Sequence, residues 1–564
     1  MVRNWLRAIL AAALLLVSVG VAQSAEELEN PDPEDWPTLG RTLDMQRYSP
    51  LDQIDADNVG QLRVVWTRDL DVRGRQQAAP VVYDGVMYIN GIDSEVLALD
   101  AATGELLWRY DAALDENFTG SPQLRGSVVV YDGKVFYARR DASVVALDAA
   151  TGEELWHSSV GNVAWNELFS SGPIFADGKI IVGPAGADAG GNPGRILALN
   201  PEDGEILWTF NIIPGPEDAE AYATWNTPPD PERGIGGGSA WTPGAYDPVT
   251  RTVIYGTGQP NPWDRIDERR GQDEGAPSAD LYTASWVALD VDTGELKWYH
   301  QVIPGDEWDG DMHPTPVIAD VEIGGEPRRV AILATTTGYV VILDVATGEY
   351  IDSIQYHEDP QLHLGYEEDG TPIINDDLRI TEDGGTVSIC GRRSTTYNSA
   401  AYSPQTGLYY RAHTNDCYNY TLYTLPDDWE RGQSATNFEL QFLPDTFDAL
   451  SALTAFDPRT GEIVWQYEHG YRHWGGGALA TAGGLVFSAF PDRTFRAFDA
   501  ATGEVLWEQV LHAGMESDPI TYAVDGVQYV AQIAGTSGTQ PHQEGLPDTI
   551  TGSSVVWVFA LPPE

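Results

Sequence analysis

Cysteine and basic residues are scarce in this chain. Its 564 residues include 2 cysteines, and 32 Lys and Arg stand against 85 Asp and Glu, which gives a formal net charge of −53. Non-specific binding to nucleic acid is excluded, because a phosphate backbone requires an excess of Lys and Arg. Covalently attached haem is also excluded, since neither cysteine belongs to a Cys-x-x-Cys-His motif. The acidity instead favours cations or basic proteins as partners.

Long apolar runs are absent beyond the N-terminus, which excludes a membrane-spanning helix in the rest of the chain. At the N-terminus, Arg3 and Arg7 accompany an apolar run over residues 8–21, and small residues follow at 22–25. This order predicts a signal peptide over residues 1–25, with a retained membrane anchor as the alternative.

The mature protein, residues 26–564, is therefore expected to be exported without an anchor. An oxidising compartment favours a disulfide between Cys390 and Cys417, although two free structural thiols are the alternative.

One unit recurs along the chain. The string ALDAATGELLW returns with small changes, and each copy predicts a hairpin: an apolar strand, an Asp-led turn with glycine where a positive φ is needed, then a second strand. The seven copies are Ala98–Trp108, Ala146–Trp156, Ala198–Trp208, Ala288–Trp298, Val341–Ile351, Ala455–Trp465 and Ala497–Trp507.

A second hairpin precedes each copy, as in VVYDGVMYI at Val81–Ile89, so each unit has the four strands of a propeller blade. An eighth unit begins at Ile520 and lacks room for its outermost strand. The segment Leu62–Leu70 is predicted to supply that strand and to close the ring. The predicted fold is therefore all-β, a single eight-bladed β-propeller closed by its N- and C-terminal strands. A seven-bladed ring with an appendage is the alternative.

Two segments do not fit the repeat and read as insertions, at Asn261–Ala284 and Ile351–Tyr397. Long loops on a rigid ring commonly build a site on one face, so we expect these to lie over one face of the propeller. The alternative is that these insertions are disordered and build no site.

Two tryptophans fall outside the repeat frame and beside glycine runs: Trp241 in GGGSAW and Trp474 in HWGGG. Glycines let the backbone approach a flat ligand closely, so both indoles could line an axial cavity, with core packing as the alternative reading.

The acidic cluster GDEWDGD places Asp309 and Asp311 two residues apart. In an extended chain both would face the same way and suit a hard cation such as Ca²⁺, or one could act as a general base. A solvated turn is the alternative.

The motifs GGGSAW, GTGQPNPW and DEWDGD occur in this order among the TGExxW hairpins, from Asp35 to the C-terminus. In this combination the chain resembles the soluble pyrroloquinoline-quinone (PQQ) dependent alcohol dehydrogenases of the methanol and ethanol dehydrogenase type. The resemblance implies a periplasmic quinoprotein that oxidises an alcohol by hydride transfer to PQQ beside a Ca²⁺-type Lewis acid.

The resemblance also implies roles for individual residues. Asp309 would be the catalytic base, and Trp241 the floor on which the quinone stacks. The other implied cofactor contacts are Gln77, Arg125, Ser170, Gly186, Ala187, Ser239, Asn398 and Trp474. The implied metal ligands are Asp188, Gln259 and Asp309, with Asp311 as a further donor. Asp311 would suit a lanthanide, but polyol-oxidising relatives carry the same Asp-x-Asp, so Ca²⁺ is the favoured ion. The family's structural disulfide matches Cys390 and Cys417.

Four departures from the family pattern stand out. Gln259 replaces the usual Asn, and Asp188 replaces the usual Glu, so a longer and a shorter ligand could compensate. Thr119–Gly120 replace an adjacent cysteine pair that caps the quinone, which suggests room for a substrate bulkier than methanol. Thr336 replaces an expected Arg or Lys, so Arg125 would carry more of the pairing with the anionic cofactor.

The expected substrate is an alcohol: primary, secondary, polyol or bulky. Because the chain carries no haem motif, a separate soluble cytochrome c is the expected electron acceptor. The alternatives are a non-catalytic β-propeller scaffold of the cell envelope, which would not need GGGSAW or DEWDGD, and a Ca²⁺-dependent hydrolase or lyase.

Overall fold

The computed structural model describes residues 25–71, 76–91, 94–112, 114, 124–263, 278–395, 397–426, 428–434, 437–443, 446–472, 476–535 and 553–563. For residues 124 and 125 the backbone alone is described. Most of the predicted signal peptide, Thr119–Gly120 and Trp474 therefore lie outside the described residues. The helices within these ranges are too short and too polar for any of them to traverse a lipid bilayer.

Eight antiparallel sheets of at least four strands follow one another through the described residues. Sheet 1 consists of Val81–Tyr83, Val86–Asn90, Glu95–Asp100 and Leu106–Asp111. Sheet 2 consists of Val129–Tyr131, Lys134–Arg139, Ser143–Asp148 and Glu154–Ser159. Sheet 3 consists of Ile174–Ala176, Lys179–Val182, Arg195–Leu199 and Ile206–Asn211. Sheet 4 consists of Ala245–Asp247, Thr252–Gly256, Ser285–Asp290 and Leu296–Gln301.

The second half of the chain continues this arrangement. Sheet 5 consists of Val317–Ile323, Glu326–Ala334, Tyr339–Asp344 and Tyr350–Gln355. Sheet 6 consists of Ala401–Ser403, Leu408–Thr414, Ser451–Asp457 and Glu462–His469. Sheet 7 consists of Tyr48–Ser49, Ala478–Thr481, Leu485–Ala489, Thr494–Asp499 and Val505–Val510, with the first strand parallel to the second. Sheet 8 consists of Ile520–Val524, Val527–Ala534, Val555–Ala560 and Arg63–Asp69.

Smaller elements connect these sheets. A three-stranded sheet consists of Gly385–Cys390, Cys417–Leu422 and Phe438–Phe442, and three strand pairs are Gln76–Ala78 with Leu124–Gly126, Gly236–Gly237 with Pro260–Asn261, and His363–Tyr366 with Pro372–Ile374. The α-helices are Ala25–Glu29, Ala187–Gly190 and Ala219–Tyr222. The 3₁₀ helices are Val59–Gln61, Val163–Trp165, Pro231–Arg233 and Asp376–Leu378.

The turn of each repeat is built by its Asp and its Gly. In sheet 1, Asp100 Oδ1 accepts hydrogen bonds from the backbone N–H of Ala102 at 3.1 Å and of Thr103 at 2.9 Å. Gly104 then takes φ of 73°, a left-handed conformation that favours glycine. The predicted positive φ is confirmed at all seven repeat glycines, where it lies between 71° and 75°.

The repeat tryptophans join neighbouring sheets. Trp108 of sheet 1 lies against Gly152 of sheet 2, and its indole N–H donates to the carbonyl of Ala149 at 2.9 Å. A side chain at Gly152 would meet this ring, since an added Cβ would lie 2.6 Å from it. The equivalent pairs are Trp66 with Gly104, Trp156 with Gly204, Trp208 with Gly294, Trp298 with Gly348 and Trp465 with Gly503.

Sheet 8 joins an early strand of the described chain to its last strand. Arg63–Asp69 pairs antiparallel with Val555–Ala560, the pairing expected from the sequence. Leu97 of sheet 1, Phe495 of sheet 7 and Phe559 of sheet 8 belong to one buried cluster. The first and last sheets of the chain therefore share a core.

The insertion boundaries need correction. Residues 351–355 belong to the outer strand of sheet 5, Tyr350–Gln355, because their pairing with Tyr339–Asp344 continues the blade-like sheet. A further excursion between Leu408–Thr414 and Ser451–Asp457 carries two strands of the three-stranded sheet and was not predicted. Of the insertion expected at 261–284, residues 264–277 lie outside the described part of the chain.

We predict that Gly152→Ala lowers the thermal stability more than Gly133→Ala, a matched change in the same sheet. Both glycines have positive φ, 73° and 70°, so each substitution should cost about 1 kcal/mol of backbone strain. At Gly133 nothing lies within 4 Å of the added Cβ, whereas at Gly152 the Trp108 ring must move. Overpacking should add about 1–3 kcal/mol. Equal shifts in Tm would show that the Trp–Gly contact does not stabilise the fold.

Candidate active site

A cavity of about 430 Å³ lies among segments that link strands within and between sheets 2 to 5. From the insertions, Phe438 of the three-stranded sheet and Arg393 also line it. The residues that line it are Asn166, Leu168, Ser170, Ala185, Gly186, Asp188, Ala189, Trp241, Gln259, Trp263, Asp309, Asp311, Arg393 and Phe438.

Asp188 is presented by the short helix Ala187–Gly190, which is inserted between two strands of sheet 3. Gly186 precedes the helix with φ of 93°, and an added Cβ there would lie 1.9 Å from the carbonyl oxygen of Asn166. The close approach therefore requires glycine. Ser239 holds the Asp188 carboxylate by donating its hydroxyl to Oδ1 at 2.5 Å. Ser239 thus acts on the cavity through Asp188.

Asp309 and Asp311 both reach the cavity, but the reason expected from the sequence is wrong. The segment is a tight turn and not an extended strand, since Asp309 has φ of 62°. The Asp306 carboxylate stabilises this turn by accepting from the N–H groups of Trp308 at 2.8 Å and Gly310 at 2.7 Å. The turn therefore brings the two carboxylates together.

Asp311 is held from two sides. Its Oδ2 accepts from the Trp241 indole N–H at 3.0 Å, and its Oδ1 accepts from the Gln259 backbone N–H at 2.8 Å. Burial, together with the charges of Asp188 and Asp309, raises the pKa of Asp311 well above its ordinary value. The cavity thus concentrates negative charge that a cation would relieve.

Oxygen atoms converge around Gly258. A Cβ at this glycine would lie 2.9 Å from Asp311 Oδ1 and 3.0 Å from Asp188 Oδ2. The Gln259 amide can face Asp311 with either end. With its nitrogen inward it donates to Asp311 Oδ1, and its oxygen then accepts from Trp263 Nε1 at 2.7 Å. With its oxygen inward it adds a third oxygen that only a bound cation would stabilise.

The carboxylates do not form a complete metal site by themselves. No group of three or more His, Cys, Asp or Glu side chains within the described ranges is arranged to hold a metal ion. A cation near Asp188 and Asp311 would therefore need the Gln259 amide oxygen and oxygens of a bound ligand as well. Such a mixed oxygen set suits Ca²⁺.

Two arginines contact Asp309, and sequence reasoning did not identify either. Arg392 donates from Nη2 to Asp309 Oδ2 at 2.7 Å, and Arg393 forms a second ion pair with the same oxygen. They follow Cys390 at the end of the strand Gly385–Cys390. The available signal was an adjacent pair of arginines, in CGRRS, within a strongly acidic chain.

Aromatic side chains form another wall, also missed from the sequence. The rings of Trp263 and Phe438 stack with centroids 4.7 Å apart and planes inclined by 18°. Trp263 lies in the quoted GTGQPNPW motif but had no assigned role. Phe438 comes from the unpredicted excursion of sheet 6, and no repeat or motif marks it.

The structure brings together six of the expected site residues besides Asp309: Ser170, Gly186, Asp188, Trp241, Gln259 and Asp311 line the same cavity. Ala187 is not among the lining residues. Gln77 donates to Glu516 Oε2 at 2.8 Å and also to the Tyr397 hydroxyl. Asn398 donates to the carbonyl of Gly476 at 3.1 Å.

Three further expectations have different outcomes. Cys390 and Cys417 form a disulfide and lie directly opposite each other in the three-stranded sheet. The backbone of Arg125 pairs with that of Gln77, but its side chain lies outside the described part of the chain. Trp474 also lies outside it.

Comparison with known proteins decides the family. A family model described as the PQQ glucose/ethanol/alcohol dehydrogenase β-propeller domain matches residues 36–369 and 470–530. The chain belongs to the PQQ-dependent alcohol dehydrogenase family. Quinoprotein alcohol dehydrogenase PedH of Pseudomonas putida is 32% identical, over 98% of this chain and 96% of its own length. Quinohemoprotein alcohol dehydrogenase of Comamonas testosteroni is 34% identical, over 89% of this chain and 73% of its own.

Solved structures of family members agree with this assignment. Quinohemoprotein alcohol dehydrogenase ADHIIG of Pseudomonas putida superposes with a TM-score of 0.84 at 30% identity, covering 95% of this chain and 82% of the other. A europium-containing methanol dehydrogenase superposes with a TM-score of 0.85 at 26% identity, covering 95% and 99%. The protein is therefore a PQQ-dependent alcohol dehydrogenase, and the scaffold and hydrolase alternatives are set aside.

We predict that Gly258→Ala weakens cation binding without removing a charged or polar side chain. The added methyl would lie within about 3 Å of both carboxylates and would push them apart. We expect at least a tenfold rise in the Ca²⁺ dissociation constant, measured by calorimetry on the PQQ-loaded protein. Gly60→Ala is the control, because nothing lies within 4 Å of a Cβ there. Unchanged Ca²⁺ affinity in Gly258→Ala would place the cation elsewhere.

Proposed function

We propose that this enzyme oxidises an alcohol to an aldehyde or ketone with Asp309 as general base and a Ca²⁺-type ion as Lewis acid. The observation that carries the proposal is the convergence of Asp188, Asp309 and Asp311 with the Trp241 ring in one cavity. A base, oxygen ligands for a cation and a flat aromatic surface are thus available within reach of one bound substrate.

Asp309 is the best-placed base among the three carboxylates. Asp188 is engaged by Ser239, and both oxygens of Asp311 accept hydrogen bonds. Both guanidinium contacts of Asp309 fall on Oδ2, so this carboxylate is held in one orientation while it lines the cavity. In the proposed reaction Asp309 takes the hydroxyl proton of the alcohol.

The residues present fit PQQ, whose chemistry when bound is the two-electron oxidation of the alcohol. Trp241 would support one face of the quinone. Another part of the cavity is lined by Ala185, Gly186 and Ala189. Because these residues have small side chains or none, a flat ring system has room there. Ser170 donates to the carbonyl of Trp241 at 3.1 Å and so ties the tryptophan to the opposite wall.

Asp188, Asp311 and the amide oxygen of Gln259 would hold the cation together with oxygens of a bound ligand, and Asp309 would be a further ligand in the loaded enzyme. We propose Ca²⁺, because amide and carboxylate oxygens are its usual ligands and the amide of Gln259 is neutral. Asp311 adds an anionic oxygen, which would also suit a trivalent lanthanide.

The substrate is proposed to be bulkier than methanol. The Trp263–Phe438 stack gives the cavity an extended apolar wall, which would bind a hydrocarbon or ring substituent on the carbinol carbon. Secondary alcohols, polyols and ring-bearing alcohols are the candidates.

The remaining features of the enzyme are proposals that follow from the sequence. We propose one closed ring of eight blades, supported by the pairing of Arg63–Asp69 with Val555–Ala560. Signal-peptide cleavage near residue 25 would release the protein into the periplasm. A soluble cytochrome c would then accept the electrons, and its basic surface would be attracted by the net charge of −53.

We expect Asp309→Asn to lower kcat for alcohol oxidation by about 10²–10⁴-fold, because the amide cannot accept the proton. Dye-linked oxidation with added PQQ and Ca²⁺ measures this effect, and PQQ absorbance shows that the cofactor is bound. Asp292→Asn, an exposed carboxylate at a turn of sheet 4, is the control. Wild-type activity in Asp309→Asn would remove this residue as the base.

We expect Phe438→Ala to shift the specificity away from ring-bearing alcohols, because it removes half of the aromatic wall that would bind the ring substituent. The ratio of kcat/KM for a ring-bearing secondary alcohol to that for ethanol should fall about tenfold. Phe442→Ala is the matched control, since Phe442 ends the same strand and packs on Tyr418, away from the cavity lining. An unchanged ratio would show that Phe438 does not contact the substrate.

A further inference from the structure

The two arginines that contact Asp309 have different surroundings. The Arg392 side chain is fully buried, donates from Nε to the Trp308 carbonyl, and lies 4.9 Å from the Tyr420 ring centroid. These contacts hold the Arg392 guanidinium in place inside the protein. The Arg393 side chain is 27% exposed and lines the cavity. Arg392 already holds Asp309 in place, so the second guanidinium is positioned for more than support of the carboxylate.

The backbone around Arg393 is fixed on both sides. The Cys390–Cys417 disulfide anchors the end of the strand that precedes Arg393, and Gly391 turns the chain after it with φ of 71°. On the other side, the Ser394 N–H donates to the carbonyl of Thr336 at 2.8 Å. Arg393 is therefore presented to the cavity from a backbone that is held on both sides, one residue before the hydrogen bond of Ser394 to Thr336.

The charge of the cavity gives Arg393 its role. Among the described lining residues, three are carboxylates and Arg393 has the only basic side chain. An anionic ligand that enters this cavity needs a cation to offset the repulsion from the carboxylates. An arginine side chain is not deprotonated in proteins, so Arg393 brings a positive charge to the cavity.

We propose that Arg393 is a cofactor-binding residue that bridges Asp309 and an anionic oxygen at the edge of PQQ. This inference rests on the proposed function. A planar guanidinium has five N–H donors, so one edge can hold the Asp309 carboxylate while another meets the cofactor. The bridge fixes the distance between the base and the quinone. It also supplies, from the insertion, a cation in place of the basic residue that the resemblance leads one to expect at Thr336.

Equilibrium binding of PQQ to the apoprotein, followed by fluorescence quenching, tests the bridge. We expect Arg393→Gln to raise the dissociation constant at least tenfold. Arg393→Lys keeps the positive charge but loses the planar set of N–H donors, so its dissociation constant should lie between those of Arg393→Gln and the wild type. Arg251→Gln is the control, because Arg251 pairs with Asp177 and Asp292 outside the cavity lining. It should bind PQQ as the wild type does.

If the role of Arg393 were purely structural, Arg393→Gln would lower the thermal stability of the apoprotein and leave its affinity for PQQ unchanged. PQQ affinity equal to that of the wild type in Arg393→Gln would overturn the proposal. If Arg393→Gln fails to fold, Arg393→Lys decides: weakened binding supports the bridge, and wild-type binding overturns it. Failure of the proposed function has a separate signature, namely that the wild type itself neither binds PQQ nor oxidises alcohols.

Discussion

Charge compensation in one cavity is the constraint on which this site depends. Asp188, Asp309 and Asp311 line this cavity, and Asp309 and Asp311 are buried, so that an unpaired charge on them would be costly. Each is engaged differently: Asp188 by a hydroxyl, Asp311 by an indole and a backbone N–H, and Asp309 by two guanidinium groups. These unequal surroundings can give similar side chains different tasks, since local hydrogen bonds and charges decide how a carboxylate behaves.

The repeated sheets make this arrangement possible by providing rigid positions. Five repeat tryptophans, Trp108, Trp156, Trp208, Trp298 and Trp465, each cover the turn glycine of a following sheet and donate to a carbonyl there, which joins adjacent sheets. The cavity residues are placed in the segments that link strands within and between these sheets. A rigid frame with functional connections lets the same architecture carry different substrates, and the relatives named as alcohol and methanol dehydrogenases fit this view.

The insertions contribute what the repeat cannot. Phe438 adds an apolar wall, and Arg393 adds a cation, each from a strand of the three-stranded sheet or directly after it. The disulfide joins two strands of that sheet next to the arginine pair. In this protein the segments that link strands of sheets 2 to 5 therefore supply the carboxylates and Trp241, whereas the insertions supply Arg393 and Phe438.

Local sequence determined the hairpins, because an Asp-led turn with glycine and an alternating apolar strand encode their own conformation. It also indicated Asp188, Trp241, Gln259, Asp309 and Asp311, since these lie in motifs that resemble one family. The sequence could not place Arg392, Arg393 and Phe438 at the cavity, because they are more than eighty residues from Asp309 along the chain and no repeat relates them. It also suggested the wrong local geometry at Asp309, where hydrogen bonds to Asp306 override the extended conformation. Those positions were decided by tertiary packing, which brings distant segments to one cavity according to shape and charge.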